Sequence, residues 1–240
     1  MLRLVIFIVS LVCFASISCA GLMGDIYVSN AAGIGLMKSS SFLIAGLDDN
    51  GNSIIEGEAF ANYDNEIDFN FLIGYNLFDS VSVEGAARLA HADFKTNIPK
   101  VDGLPGGLIE SALQLLSVSA GINYEITTKG SVAPFIGIFV TSNQSKFFDA
   151  YSVTTGFGGK AGVNIILKES IHAFTVYEAS SIKKPSFNSI AVSALSATDV
   201  DNSDTDSGSD SSSVTNGNKQ CFFQDNFVRS VFTLGLKFIM

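Results

Sequence analysis

Residues 227–240, the last stretch of the chain, read FVRSVFTLGLKFIM and alternate between two kinds of side chain from residue 232 onward. Successive side chains on a β-strand point to opposite faces, so one face of this stretch is apolar and the other is small or polar. The apolar face consists of Phe232, Leu234, Leu236, Phe238 and Met240. Such a strand is typical of the wall of a membrane barrel, which contacts lipid on one side.

The same five residues resemble the carboxy-terminal insertion signal of bacterial outer-membrane proteins, in which apolar residues alternate back from a terminal aromatic residue. Met240 departs from the aromatic residue of that pattern. The resemblance implies that the barrel assembly machinery recognises this strand and inserts the protein into outer-membrane lipid.

The amino terminus predicts export. Arg3 precedes an apolar run over residues 4–15, and Ser18 and Ala20 are small residues at the positions that a signal peptidase reads. We therefore predict a signal peptide at 1–20 and a single outer-membrane β-barrel domain at 21–240. The alternative is lipidation of Cys19, although Ser16 stands where such signals normally carry leucine.

Charge and cysteine content narrow the range of partners. The formal net charge is −9, and loss of Arg3 with the signal leaves 13 Lys+Arg against 23 Asp+Glu, which is −10. An acidic surface argues against nucleic acid as a partner. Cys221 is the only cysteine of the mature chain, so an intramolecular disulfide is impossible, and the thiol is either free or paired between chains.

Alternating segments recur along the rest of the chain and predict an all-β fold. Short turns near residues 78–80, 127–131 and 168–169 alternate with longer connections at 38–66, 95–113, 143–152 and 181–226. Short periplasmic turns and long outer loops are typical of an antiparallel up-and-down transmembrane β-barrel. We predict eight strands, or ten if the hairpin around residues 48–52 joins the wall.

Two of the longer connections have features of their own. Residues 107–116 could form a short helix before the wall resumes. In the connection at about 181–226, residues 199–218 are almost wholly Asp, Ser, Thr, Asn and Gly, which predicts a disordered acidic outer loop because they cannot bury enough apolar surface.

Six charged residues fall on the inward face of the predicted strands and form the candidate site. They are balanced in sign: Asp68, Glu84 and Glu125 against Arg88, Lys160 and Lys237. In a small barrel the interior is filled by side chains, so structural ion pairs are the expected role of these residues. The alternative is a narrow polar path for small solutes.

No catalytic site, cofactor or metal centre is predicted. His91 and His172 fall near opposite ends of the barrel, and no serine has the context of a nucleophile beside either of them. The acidic stretch lacks the glycine and glutamate spacing of a calcium-binding loop.

Several segments together resemble the major surface antigen family of Anaplasma, Ehrlichia and Wolbachia-type intracellular bacteria. They are residues 73–85 (IGYNLFDSVSVEG), 93–95 (DFK), 129–135 (KGSVAPF) and 160–163 (KAGV). The resemblance implies an abundant protein of the bacterial cell surface with loops that face the host and, in some relatives, porin activity.

These observations predict a non-catalytic surface antigen of the outer membrane that contacts host molecules through its outer loops. A small-solute channel is the first alternative. The second is a soluble exported barrel that binds an apolar ligand, which would have its apolar faces inside and its charges outside.

Overall fold

The computed structural model describes residues 24–47, 53–100, 106–126, 130–191 and 218–240. The predicted signal peptide, with Cys19, and most of the predicted acidic loop, residues 192–217, lie outside the described residues. None of the described residues belongs to a helix long and apolar enough to cross a membrane.

The described chain forms eleven β-strands. They are β1 (Ile26–Met37), β2 (Ser40–Leu47), β3 (Ser53–Phe78), β4 (Val81–Ile98), β5 (Gly107–Glu125), β6 (Val132–Phe147), β7 (Ala150–Lys168), β8 (Ile171–Ile182), β9 (Ser186–Ala191), β10 (Asn218–Phe223) and β11 (Phe227–Ile239).

Eight of these strands close into a ring. The order around it is β1, β3, β4, β5, β6, β7, β8 and β11, and β1 pairs with both β3 and β11, so the sheet has no free edge there. Every pairing is antiparallel. The predicted eight-stranded antiparallel barrel is confirmed.

The other three strands extend the barrel beyond one end of the ring. β2, β9 and β10 follow or precede β1, β8 and β11 across short breaks at residues 38–39, 183–185 and 224–226. β2 pairs with the first part of β3, β10 pairs with β2, and β9 pairs with β10. The hairpin that could have added two wall strands therefore extends an eight-stranded barrel instead of widening it.

We call the end that holds the turns at 79–80 and 169–170, together with Met240, the short-turn end, and the opposite end the loop end. At the loop end the strands run further than predicted. β6 and β7 are joined by the two-residue turn Phe148–Asp149, in which Phe148 takes a φ of 52°. The predicted connection 143–152 is therefore mostly strand.

The predicted short helix at 107–116 is wrong, because these residues are the start of β5. Leu113 and Leu115 are buried inside the barrel, whereas Gln114 between them is exposed, which is a period of two. β4 runs to Ile98 and offers backbone partners along its whole length. Pairing with β4 thus overrides the local helical composition.

The polarity of the wall inverts halfway along the strands, and β4 illustrates this best. Near the short-turn end its inward residues include Glu84 and Arg88, and Leu89 points outward. Nearer the loop end the same alternation buries Phe94 inside and exposes Asp93 outside. The polarity expected of a soluble barrel is therefore present, but only in the half at the loop end.

An aromatic core fills the interior of that half. Phe147 is fully buried, and its ring lies 4.8 Å from that of Phe94 and 5.2 Å from those of Phe187 and Phe223, between centroids. Each such pair contributes roughly 0.5–1.5 kcal/mol beyond the burial of its area. Phe227 and Phe42 complete this core, and Ile, Leu and Cys side chains surround it.

Candidate functional site: the charged lumen

A buried arginine marks the boundary between the aromatic core and the polar lumen. Arg229 Nε donates to both carboxylate oxygens of Glu66, at 2.6 and 2.8 Å, and the guanidinium also pairs with Asp68. All three side chains are at most 2% exposed. We call this group the clamp. Gly35 gives it room, because a Cβ at that position would come within 3.1 Å of the Glu66 side chain.

A second arginine continues the ion pairs toward the short-turn end. Arg88 Nε lies 3.4 Å from Asp68 Oδ2, a charge contact without a hydrogen bond, and its Nη2 donates to Glu178. Asp68 is therefore shared by Arg229 and Arg88. Charged hydrogen-bonded pairs offset part of the cost of burying each ion.

A third pair lies below the second. Lys160 pairs with Glu84, which also accepts hydrogen bonds from Asn123 Nδ2 at 2.6 Å and from the Tyr27 hydroxyl at 3.3 Å. These residues come from four different strands, namely β7, β4, β5 and β1. The pair thus links opposite parts of the wall.

The remaining two predicted residues stand apart from these pairs. Glu125 accepts a hydrogen bond from Asn164 Nδ2 at 2.5 Å, and the ammonium of Lys237 lies 4.0 Å from the centroid of the Tyr27 ring. Of the six predicted residues, four therefore form ion pairs and two do not.

Sequence reasoning missed three members of the lumen network: Glu66, Glu178 and Arg229. Arg229 has the same parity as Lys237 on β11, so the alternation could have found it. Glu66 falls at the end of a predicted connection but has the parity of Asp68, so extending that alternation by two residues could also have found it. Glu178 lies on β8, for which no inward face was predicted.

The polar lumen contains a cavity of about 110 Å³ that reaches the turn residues Asp79 and Ser80 at the short-turn end. Its lining includes Tyr27, Ser82, Asn123, Lys160, His172 and Lys237. Toward the loop end, the Arg88 pair, the clamp and the aromatic core follow one another. Within the described residues the cavity is therefore blind.

The two histidines lie on opposite faces of the barrel wall. His172 faces the lumen and is buried, whereas His91 lies on the outer surface with its Nε2 3.2 Å from Asp93 Oδ1. In the described part of the chain, no group of three or more His, Cys, Asp or Glu side chains is arranged to hold a metal ion.

The buried cysteine lies in the aromatic core and not in the polar lumen. Cys221 is fully buried on β10, and burial raises the pKa of its thiol to about 12. The thiol is therefore protonated and shielded in the folded barrel.

The predicted insertion residues all face outward from β11, opposite the lumen. β11 closes the ring against β1, with Phe238 opposite Val28 and Leu234 opposite Ala32. The exposed outward set is Phe232, Leu234, Leu236, Phe238 and Met240. Recognition of this set by the assembly machinery stays a prediction.

No protein-family model matches the sequence, and no curated protein matches it either. Among solved structures, the chain is similar to the outer membrane protein OprG from Pseudomonas aeruginosa, with a TM-score of 0.57 and 16% identity over 90% of this chain and 96% of that one. Neisserial surface protein A follows with a TM-score of 0.49 and 14% identity over 89% and 96% of the two chains. At this identity the likeness to OprG shows the fold alone, which is that of an outer-membrane β-barrel.

Proposed function

We propose that this protein is a non-catalytic surface antigen of the bacterial outer membrane whose loop-end half contacts host molecules. The observation that carries the proposal is the inverted polarity of that half, which has an aromatic core of its own. Its outer face carries charged side chains such as Asp93 and Glu110 interspersed with exposed apolar ones such as Phe60 and Val153. A barrel segment with its large apolar side chains packed inside is stable in water, so we expect it to project beyond the bilayer.

Strand lengths support this proposal. A transmembrane β-strand needs about 9–11 residues, whereas β3 has 26, β4 has 18 and β5 has 19. Roughly half of each strand thus exceeds what the bilayer requires. The excess lies at the loop end, where Asp93, Lys95 and Glu110 point outward.

The outward apolar residues support a membrane location for the other half. Ile138 on β6, Phe157 on β7 and Phe69 on β3 are exposed large side chains at similar positions along the wall. We call this band the apolar belt, and it is a surface that lipid covers in outer-membrane barrels. The likeness of several segments to the major surface antigen family agrees with this location.

The observations favour an antigen over a channel. A conducting barrel needs a continuous polar path, and here the clamp and the aromatic core follow the polar lumen. Eight-stranded barrels have interiors that side chains fill, in contrast to the wide lumens of porins.

Deleting residues 199–217 from the full chain tests the proposal. Cells that display the intact protein should bind host cells, and the deletion should reduce binding at equal surface expression. Binding that is unchanged by the deletion and by charge reversal at Asp93 and Glu110 would contradict the proposal. Large, salt-gradient-dependent conductance in planar bilayers would favour the channel instead.

A further inference from the structure

The lining of the blind cavity at the short-turn end includes two charged side chains that belong to none of the ion pairs of the lumen. Apart from the Lys219–Glu56 pair at the loop end, nine charged side chains face the interior of the described barrel, and seven of them lie within 4.0 Å of an opposite charge. The two that have no such partner are Glu125 and Lys237, and both line the cavity. The cavity therefore offers one anion and one cation that form no salt bridge.

These two charges come from opposite walls. Counted around the ring from β1, β5 is the fourth strand and β11 is the eighth, so the two strands face each other across the lumen. Glu125 lies on β5 and Lys237 on β11.

Each charge has a neighbour with an unsatisfied polar atom. Asn123 lies two residues before Glu125 on the inward face of β5, and its Oδ1 has no hydrogen-bond partner. His172 is the register partner of Lys237, and its Nδ1 has none. Asn123 is 7% exposed and His172 is 9% exposed, and buried polar atoms of this kind are normally paired.

The two walls thus differ in hydrogen-bonding character. The β5 wall presents the Glu125 carboxylate, an acceptor that suits an ammonium group. The opposite wall presents the Lys237 ammonium, a donor that suits a carboxylate.

From this arrangement we propose that the cavity binds a small zwitterion of the α-amino acid class, which enters from the short-turn end. The ammonium group of the ligand lies against Glu125, and its carboxylate lies against Lys237. An apolar cavity of roughly 150 Å³ holds benzene, so about 110 Å³ suits a solute of roughly five or six heavy atoms, such as glycine or alanine.

A ligand with a single charge fits the cavity less well. A carboxylate alone would leave Glu125 without a cation, and an amine alone would leave Lys237 without an anion. Leaving a desolvated charge unpaired costs free energy, so both classes should bind more weakly.

Isothermal titration of the mature full chain in nanodiscs tests the proposal, with glycine, alanine, acetate and methylammonium as probes. Alanine and glycine should bind saturably, and acetate and methylammonium should bind at least tenfold more weakly. Equal binding of acetate and alanine would overturn the zwitterion assignment. The absence of saturable binding by glycine and alanine would overturn the site.

Variants make the test specific. Glu125→Gln and Lys237→Gln should each weaken alanine binding by roughly tenfold or more, whereas Lys95→Gln on the outer surface should leave it unchanged. The exchange of both charges, Glu125→Lys with Lys237→Glu, should restore binding because the zwitterion can turn round. Heat-modifiable mobility on gels confirms that each variant is folded.

If both single variants bind alanine as well as the wild type does, the proposal is wrong. This result is independent of host-cell binding, because the cavity lies at the end of the barrel opposite the loops. Failure of one proposal therefore leaves the other intact.

Discussion

At the scale of single residues, the clamp is the contact on which the barrel interior depends most. Arg229 is the cation that holds Glu66 and shares Asp68 with Arg88. Its removal leaves a buried carboxylate without a cation. Breaking a buried ion pair from one side typically costs about 3–5 kcal/mol.

We therefore predict that Arg229→Met lowers the free energy of unfolding by about 3–5 kcal/mol, measured by urea unfolding in lipid vesicles. Combining it with Glu66→Gln and Asp68→Asn should recover part of the loss, since no buried charge is then left over. The matched control is Lys95→Met, which breaks the exposed contact of Lys95 with Glu110 at 2.7 Å. An Arg229→Met variant as stable as this control would contradict the role of the clamp.

For single residues, the sequence predicts which side chains of a strand point inward and which point outward. The inward positions of Asp68, Glu84 and Arg88 follow from alternation alone. The contact of Asp68 with Arg88 also follows from the sequence, because a short turn joins their two strands and places the residues diagonally. Contacts between strands that are distant in the chain, such as that of Arg88 with Glu178, cannot be predicted. Such contacts depend on the closure of the ring.

At the scale of the strand, the inversion of polarity means that the outward face of β6 contacts lipid along one part of its length and water along the other. Ile138 lies in the middle of the apolar belt, and Gln144 lies on the same outward face nearer the loop end. A charge at the first position faces lipid, whereas a charge at the second faces water.

Arginine substitution at these two positions tests the location of the belt. Ile138→Arg should destabilise the protein by about 2–4 kcal/mol, the usual cost of arginine on the lipid face near the midplane. Gln144→Arg should leave the free energy of unfolding nearly unchanged. Urea unfolding in vesicles measures both, and equal effects would mean that the belt does not end between these residues.

Strand ends were the least predictable elements. The sequence at 107–116 has Ile109 as its only β-branched residue, and residues 143–147 are mostly polar, so local composition favours neither as a strand. They are strands because a neighbouring strand already offers hydrogen-bonding groups and because every second side chain enters the aromatic core. Local composition carries no trace of either cause.

At the scale of the whole molecule, the orientation in the membrane is open to a direct test. Asp149 lies at the loop end and Glu169 at the short-turn end, and both are exposed. The buried thiol of Cys221, with its pKa raised to about 12, gives the wild type little reactivity of its own.

Single cysteines in a Cys221→Ser background, at position 149 or 169, should react differently with a membrane-impermeant thiol reagent on intact cells. Label is expected at 149 and not at 169, and the wild type should stay unlabelled unless denatured. Label at 169 alone would reverse the orientation. Label at neither position before the cells are broken would argue against surface exposure.

The barrel architecture could be predicted from the sequence because the alternation and the turn spacing recur over many residues, so no single residue decides the prediction. The aromatic core was not, since its members Phe42, Phe147 and Phe223 lie on segments assigned to connections. Only the closed ring brings them together.

The filled interior has a consequence for the permeability of the cell. An open pore at the surface admits antibiotics and bile salts in proportion to its copy number, which limits how many copies a bacterium tolerates. Under the proposed function, a barrel obstructed by the clamp and the aromatic core would add no such leak. Its copy number and the sequence of its outer loops would then be free to change without altering what crosses the envelope.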